Sequence, residues 1–483
     1  MSLIDTRRDQ IFPTLTPAQI ATARRFASGQ SHHFAPNEII FRAGEMHVPA
    51  FLVLSGSLEV HRRDTVGRES LIVAHGPGQM SGEVSQIAGR GTLADGRAGP
   101  EGCEALPFDG AHLRALLIGS AEIGELLMRA FILRRTALIA EGGAGTVLVG
   151  HANDPAMVRT LGFLARNGYP TTVLDPATDE DGRALLHRLG VTDEDLPLML
   201  APDGAVLRRP TETELGVRLG LTPDLDGDTV YDVAVVGAGP AGLATAVYAA
   251  SEGLSVMMLD QRAFGGQAGA SARIENYLGF PTGITGHILM ARAFTQAQKF
   301  GAEAAIPVAV NSLQCDGKPF VLNLSGEQRI RARSAVIASG ARYRQLDIPN
   351  LADFESNGIS YWASPIEAKL CAGEEVALVG GGNSAGQAVV FLAPKVEKLH
   401  LVIRRNDLYA TMSRYLVDRI AALPNVILHP RTEITDLDGD AHGLRSVTCR
   451  NIDSGESQLH SIRHLFLFIG AEPNTGWLAN CNV

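Results

Sequence analysis

Apolar positions along the 483-residue chain change their spacing several times, and each change marks a different architecture. From residue 34 to about residue 105 the apolar runs are short and broken by glycine and proline: EIIFRAGE at 38–45, FLVLSGSLEVHRR at 51–63 and ESLIVAHGPGQ at 69–79. Such a series predicts the short strands of a small β-barrel or jelly roll. Helical sequence flanks it, with Thr16 before PAQIATARRFA and a long apolar stretch at 113–140 after Asp109. That stretch carries Glu122, Glu125, Arg129, Arg134 and Arg135. It predicts a buried amphipathic helical region and no membrane span. Between 145 and 222 the order becomes β-α-β-α-β-β-α: TVLVG, MVRTLGFLARNG, TTVLD, GRALLHRLG, LPLML, APDGAV and ETELGVRLGL. The Pro/Gly/Asp-rich stretch LTPDLDGDTV then reads as a linker.

From residue 231 the pattern is a strand, a glycine turn and a helix. The β-branched run Val233, Val235, Val236 meets Gly237, Gly239 and Gly242, and an alanine-rich helix is predicted over 244–250. The next strand, 255–259, ends in Asp260, about 18 residues beyond the last glycine. This is the layout of a dinucleotide-binding turn, in which an acid ~20 residues on meets a ribose hydroxyl. Gly237 allows the turn, Gly239 lets backbone approach a pyrophosphate, and Gly242 lets helix settle on strand; Pro240 and Ala241 complete the cradle. The helix N-terminus offers unpaired N–H groups and the positive end of its dipole. A second such turn lies in EVALVGGGNSAGQA, with Gly380, Gly382 and Ala385 in GxGxxA form around Asn383 and Ser384. Two turns about 140 residues apart imply two nucleotide sites, between which a hydride can pass. After LHLVIRR, Arg404 and Arg405 stand where an acid would mark NADH. Paired guanidiniums suit a 2′-phosphate instead, so NADPH is expected.

Composition narrows the classes. At ~150 residues per domain the length implies about three domains, and 45% hydrophobic content gives each a core. A net charge of −10 and a pI near 5.8 argue against a nucleic-acid-binding body. The five cysteines (103, 315, 371, 449 and 481) lie far apart without a CxxC pair, which predicts neither a disulfide scaffold nor a metal site and fits a cytoplasmic location. The N-terminal stretch has no apolar h-region, so no signal peptide is expected.

Gly44, Gly56 in LSGSLEV, and Gly82-Glu83 after Pro77-Gly78 give the first third a resemblance to the cyclic-nucleotide-binding domains of bacterial regulators. The resemblance implies that Gly82 and Glu83 open a phosphate-binding cassette, with Glu83 accepting from the ribose 2′-hydroxyl. An arginine about nine residues later would neutralise the cyclic phosphate; Thr92 occupies that position, and Arg90 and Arg97 are out of register. Losing a charge-assisted phosphate contact costs about 1.5–3 kcal/mol. Two readings stay open, a cyclic-nucleotide-binding barrel and a degenerate regulatory or dimerising one. The segment 145–222 resembles the glutaredoxin and thioredoxin group, which implies a cis Pro197 and a hairpin at Asp203-Gly204. Its loop GHANDPAM lacks the group's cysteine, so it cannot exchange disulfides and is read as a docking or spacer domain.

The segment GGQAGASARIENYLGFP, at 265–281, resembles the flavin-contacting part of the low-molecular-weight thioredoxin reductases. The resemblance implies FAD, approached by Gly265, Gly266 and Gln267, with Asn276 beside the isoalloxazine. Ser339 and Gly340, in AVIASGARYRQLDIPN, match the turn that leaves the flavin domain. Where that family carries its redox Cys-x-x-Cys this chain has Trp362 and Pro365, and Tyr409 stands at the family's third basic position. Cys371 is single and read as structural. The chain stops at Val483, before the family's Gly-Asp strand and last helix. A fragment and an impaired flavin site are both open readings of that end.

The resulting expectation is a multi-domain protein: a cyclic-nucleotide-binding-like β-barrel at 1–142, a cysteine-free thioredoxin-like α/β domain at 145–222, and a two-dinucleotide-binding, Rossmann-like α/β flavoprotein. In the last, 229–345 and 463–483 would bind FAD and 346–462 NADPH. The expected activity is NADPH-dependent flavin reduction, with electrons passing to a redox protein or a small molecule. A ferredoxin–NADP reductase-like activity and a non-catalytic regulatory protein are the alternatives. No catalytic side chain or metal ligand is named, and the apolar helix after the barrel suggests a homodimer.

Overall fold

The structure is a computed structural model describing residues 6–63, 69–82, 84–141, 145–152, 154–355, 357–440, 443–479 and 481. It divides into two compact units. The first comprises Met1–Phe264, Ala291–Ala338 and Trp477–Val483, the second Gly265–Met290 and Ser339–Gly476.

The first unit begins with strands β1 (His32–Phe34), β2 (Ile39–Phe41), β3 (Ala50–Arg63), β4 (Glu69–His75) and β5 (Asp95–Phe108). They pair antiparallel in the order β1-β5-β3-β4, with β2 also on β5. Thr16 caps the helix Pro17–Ala23 through a capping box with Gln19. The apolar stretch after Asp109 forms two helices, Gly110–Gly119 and α1 (Ala121–Glu141), parted at Ser120. Leu113, Leu116 and Phe131 on these helices bury against Leu52, Met80 and Phe108. Burial of such side chains stabilises by about 1.5–3 kcal/mol each.

Strands β6 (Thr146–Val149), β7 (Thr171–Leu174), β8 (Leu198–Leu200) and β9 (Val206–Arg208) follow, in the order β7-β6-β8-β9. β6 runs parallel to β7 and antiparallel to β8, and β9 closes a hairpin on β8 through Gly204. The Leu196–Pro197 peptide is cis.

Six further strands build the next sheet of the unit: β10 (Val230–Val236), β11 (Val256–Leu259), β12 (Glu303–Ala305), β13 (Val310–Gln314), β14 (Phe320–Leu324) and β15 (Arg329–Ile337). Their order is β12-β11-β10-β15-β14-β13. β10 is central and parallel to both neighbours, and Ala234 and Val235 are fully buried, as a doubly covered parallel strand requires. The helix α2 (Pro240–Ser251) follows β10. One expectation is corrected here. Cys315 and Cys481, 166 residues apart, are disulfide-bonded with Cα atoms 6.1 Å apart. Sequence spacing carries no record of a pair that sheet topology brings together. Cys103, Cys371 and Cys449 are free and buried.

The second unit holds β16 (Ala341–Tyr343), β17 (Ile359–Ser360), the helix α3 (Pro365–Leu370), β18 (Glu375–Val379), the helix α4 (Asn383–Leu392), β19 (Lys398–Val402) and β20 (Val426–His429). It continues with β21 (Thr432–Asp440), β22 (Gly443–Asn451), β23 (Ser457–His460), β24 (His464–Leu467) and β25 (Ala471–Pro473). The main sheet is parallel, in the order β17-β24-β18-β19-β20. β21, β22 and β23 form an antiparallel sheet, and β16 pairs with β25 as a two-stranded ribbon. No helix among the described residues is long and apolar enough to cross a membrane.

Candidate functional site

The first glycine turn lies between β10 and α2. Gly237 sits at φ +106°, which favours glycine, and its N–H donates to Leu259 O at 2.7 Å. The helix starts at Pro240, four residues before the predicted 244, because proline's fixed φ suits the first helical position. Gly242 is therefore inside the helix. A Cβ there would stand 1.8 Å from Gly237 O, so only glycine lets the helix lie this close to the turn. No side chain caps α2, which leaves its first N–H groups for an anion. Asp260, at the end of β11, braces the turn: its Oδ2 accepts from Ala238 N at 2.8 Å, and its Oδ1 accepts from Arg262 N at 2.9 Å and Ala263 N at 3.1 Å. Burial pushes its pKa up, and the three backbone N–H groups oppose that shift.

The second turn, between β18 and α4, repeats the geometry within its own unit. Gly380 sits at φ +146°, and a Cβ there would meet Phe468 O at 2.4 Å. At Gly382 a Cβ would meet nothing within 4 Å, so open space lies over this N-cap residue, and α4 also lacks a side-chain cap. Asn383 Oδ1 accepts from Ser413 N at 2.7 Å and Thr411 Oγ1 donates to Gly381 O at 2.7 Å, which tie the turn to the segment after β19. Ser384 is exposed and Ala385 is buried. Arg404 and Arg405 leave the end of β19 exposed, and among the described residues neither guanidinium has a carboxylate or carbonyl partner. Their carbonyls are held by Arg431, whose Nη1 donates to Arg404 O at 3.2 Å and whose N donates to Arg405 O at 3.1 Å. Asp453 fixes that Arg431 side chain. Nothing in the sequence pattern singled out Arg431 or Asp453.

The residues read as flavin contacts in the second unit are distributed over three segments. Gly265 and Gly266 both have positive φ and open a short helix, and Gln267 Nε2 donates to Ala341 O at 2.9 Å. Asn276 is exposed, beside Glu275, which pairs with Arg273 and Arg419. Ser339 Oγ donates to Asn474 O at 2.8 Å, and Asn474 N donates to Gly340 O at 2.9 Å. Ser339 and Gly340 thus close the end of the β16–β25 ribbon.

At 360–371, Glu367 is the organising side chain. It accepts from Trp362 Nε1 at 2.8 Å, from Ser364 N at 2.9 Å, and from Ser364 Oγ. The carboxylate caps α3 and pins the indole together. Cys371 is fully buried, and burial pushes its thiol up to about 11, so no thiolate forms there near neutral pH. In the β6–β9 domain His151, in the cysteine-free loop, lies between Asp175 at 3.3 Å and Asp193 at 3.8 Å and is itself half exposed. No group of three or more His, Cys, Asp or Glu among the described residues could hold a metal ion.

In the segment after β4, Gly82 sits at φ +100°, and Glu83 lies outside the described residues. Thr92 is buried, and its Oγ1 donates to Arg42 O at 2.6 Å. Arg90 stacks over Phe294, and Arg97 pairs with Glu69 and His61, so neither takes the place of the cassette arginine.

Residues 231–483 match the family described as pyridine nucleotide-disulphide oxidoreductase, and residues 31–119 match the cyclic nucleotide-binding domain. The chain is 34% identical over 286 residues to NADPH-dependent thioredoxin reductase 3 of Arabidopsis thaliana, covering 56% of this chain and 53% of that protein. It thus spans about half the length of that relative. To the thioredoxin reductase of Mycolicibacterium smegmatis it is 31% identical over 247 residues, covering 51% of this chain and 78% of that one. Among solved structures, the thioredoxin reductase of Lactococcus lactis aligns with a TM-score of 0.50 at 25% identity, over 52% of this chain and 82% of that chain.

Proposed function

Because the chain belongs to the pyridine nucleotide-disulphide oxidoreductase family, we propose that it is an NADPH-dependent FAD oxidoreductase of the thioredoxin-reductase type, from which electrons leave without a cysteine relay at 362–365. The observation that carries this reading is the pair of strand–glycine turn–helix units, each opening a helix that no side chain caps. The residues fit the two groups. The open space over Gly382 and the close approach at Gly242 are what a pyrophosphate cradle needs. FAD, when bound, supplies the chemistry that accepts a hydride from NADPH and delivers electrons onward.

The chain's own residues bind and orient. Residues 237–242 would hold the flavin nucleotide's pyrophosphate, and Asp260 Oδ2, which keeps acceptor capacity beyond Ala238 N, would take a ribose hydroxyl. Gly265, Gly266, Gln267, Asn276, Ser339 and Gly340 would border the flavin. Residues 380–385 would hold the NADPH pyrophosphate, and Arg404 and Arg405 its 2′-phosphate, in a forked geometry that lysine does not reproduce. Trp362 and Ser364, fixed by Glu367, form a capped helix start that can neither store an electron pair nor form a mixed disulfide. The acceptor is then a bound redox protein or a small molecule such as a quinone.

We assign 1–142 to a regulatory barrel, 145–222 to a thioredoxin-like docking domain, 229–345 with 463–483 to FAD and 346–462 to NADPH. The order β7-β6-β8-β9 and the cis peptide at Pro197 support the second assignment.

The test uses the purified full chain, scanned in the visible range and titrated anaerobically with NADPH. Flavin absorbance that bleaches with NADPH, with turnover of ferricyanide or benzoquinone but not of thioredoxin, is expected. Colourless protein that takes up no added FAD would return the reading to a non-catalytic regulatory protein. Thioredoxin turnover at a rate matching the quinone would overturn the cysteine-free exit.

A further inference from the structure

Arg431 holds the segment that carries Arg404 and Arg405, and it does so in a disfavoured conformation. It lies between β20 and β21 at φ +53°, a left-handed backbone that strains any residue with a Cβ. Its backbone is tied on both sides: its N–H donates to Arg405 O at 3.1 Å, and its carbonyl accepts from Ile452 N at 2.7 Å. Its side chain spans the same gap. Nη1 donates to Arg404 O at 3.2 Å, while Nε and Nη2 donate to the Asp453 carboxylate at 3.0 Å and 2.6 Å as a fork. Asp453 stands in the turn between β22 and β23, where Asn451 Oδ1 accepts from Asp453 N and Ser454 N, both at 3.0 Å. One guanidinium thus clamps the β22–β23 turn to the peptides of Arg404 and Arg405.

Stability gives little reason for this arrangement. The Arg431–Asp453 pair lies on the surface, its side chains 37% and 61% exposed, and ion pairs in that setting contribute little to folding. A glycine at 431 would relieve the backbone and still donate its N–H to Arg405 O. What arginine alone supplies is a planar fork, with one edge on a carboxylate and Nη1 left for a carbonyl. Arg404 and Arg405 themselves are exposed at the end of β19. Strain kept at a residue with a side chain, without a matching gain in stability, points to a task in placing its neighbours.

Resting on the reading of Arg404 and Arg405 as the 2′-phosphate site, we propose that Arg431 and Asp453 are positioning residues for coenzyme selectivity. They fix the two peptides from which Arg404 and Arg405 project, and so set how strongly a 2′-phosphate is preferred to a 2′-hydroxyl. Neither touches the nucleotide. Peptides fixed in advance spare the phosphate contacts the cost of ordering that segment on binding. The 5′ side of the nucleotide, read onto residues 380–385, lies outside their influence.

The probes are adenosine 2′,5′-bisphosphate and adenosine 5′-monophosphate, which differ only in the 2′-phosphate, titrated calorimetrically into the full chain and its variants. The parent should prefer the bisphosphate by about tenfold or more, the worth of one charge-assisted contact. Arg431→Gly, which suits the left-handed backbone, should bind the bisphosphate about five- to tenfold more weakly and the monophosphate within about twofold of the parent. Asp453→Ala should do the same, and the double variant no worse than either, because the two side chains act as one unit. In an Arg404→Ser/Arg405→Ser background, Arg431→Gly should change the bisphosphate Kd by less than about twofold. Where Arg404→Ser/Arg405→Ser removes the parent's preference but Arg431→Gly leaves it intact, or weakens both nucleotides equally, the positioning role alone is overturned. A parent without the preference, or one whose preference survives the loss of both arginines, overturns the 2′-phosphate reading and this proposal with it. Tighter bisphosphate binding in Asp453→Ala also counts against it, since Arg431 would then be a direct phosphate ligand once released. Should Asp453→Ala fail to fold, Arg431→Gly in the two backgrounds still decides the matter.

Discussion

Replacing each of two glycines by alanine separates a phosphate cradle from an ordinary tight turn. At Gly382 the backbone is at φ −95°, which any residue adopts, and an added Cβ meets no protein atom within 4 Å. Gly382→Ala therefore loses only the N-cap preference of glycine over alanine, about 0.5–1 kcal/mol. The new methyl projects into the space over the uncapped start of α4. A pyrophosphate there would be pushed off at least one backbone N–H, a charge-assisted contact worth about 1.5–3 kcal/mol. KM for NADPH should then rise by about 10- to 100-fold while the melting temperature moves by only a few degrees. Gly242→Ala behaves differently, because its Cβ would stand 1.8 Å from Gly237 O, a backbone atom that cannot rotate away. The helix must shift, and overpacking of this kind costs about 1–3 kcal/mol. That variant should melt earlier and purify with less flavin. Steady-state kinetics, differential scanning calorimetry and the flavin-to-protein absorbance ratio read the three effects. An unchanged KM for NADPH in Gly382→Ala, with the protein fully folded, would refute the cradle at the second turn.

Other perturbations test other parts of the same picture. Arg404→Ser with Arg405→Ser should raise KM for NADPH about tenfold or more, leave KM for NADH nearly unchanged, and weaken the salt dependence of the NADPH KM; equal effects on both nucleotides would refute the 2′-phosphate role. Glu367→Ala should remove about 1 kcal/mol of capping from α3 and release the Trp362 indole, shifting tryptophan emission; emission identical to the parent would show that the indole is not held by the carboxylate. His429 stacks with His400 at 5.1 Å and meets His460 edge-on at 5.6 Å, with Glu375 and Lys398 facing the cluster through His400 and Glu375. Burial first, then its histidine neighbours, push its pKa down to about 4 in the fold, against an unfolded value near ~6.5. The unfolded chain then binds the extra proton, so this contribution is present above about pH 6.5 and is lost as pH falls towards 4. Urea midpoints at pH 7 and pH 5 should differ more in the parent than in His429→Gln, and parallel shifts would count against the cluster.

What the sequence made visible is whatever is written in consecutive residues. Both glycine turns are of this kind. A buried strand of Val and Ala, a residue that tolerates positive φ, and a helix start within five residues leave one local geometry, and β10 with α2 and β18 with α4 adopt it. The elements of 145–222 were legible for the same reason, since each apolar period is bounded by Gly, Pro or Asp. The strand β5 was not. Its sequence, DGRAGPEGCEALPF, has three glycines, two prolines and no β-branched residue, and by propensity it reads as loop. Pairing with β1, β2 and β3 makes it a strand, and that pairing is long-range.

The site residues that escaped notice share this non-local character. Asp260 could be singled out from its spacing after Gly242. That its carboxylate also braces Ala238, Arg262 and Ala263 depends on β10 and β11 lying side by side in register. Arg431 reaches Arg404 and Arg405 only because β20 pairs with β19, and Cys315 meets Cys481 across 166 residues of intervening chain. Glu367 was the exception that could have been found. Ser364 followed three residues later by Glu, before an apolar run, is the signature of a capping box, and here the same carboxylate also takes the indole N–H of Trp362. That double use ties the start of the helix to the indole. A disulfide-exchanging loop needs the opposite, a nucleophile with a low pKa held accessible. In the proposed flavin reductase, the only thiol of the 362–371 segment is then the buried Cys371, whose pKa is pushed up to about 11 and which is no relay.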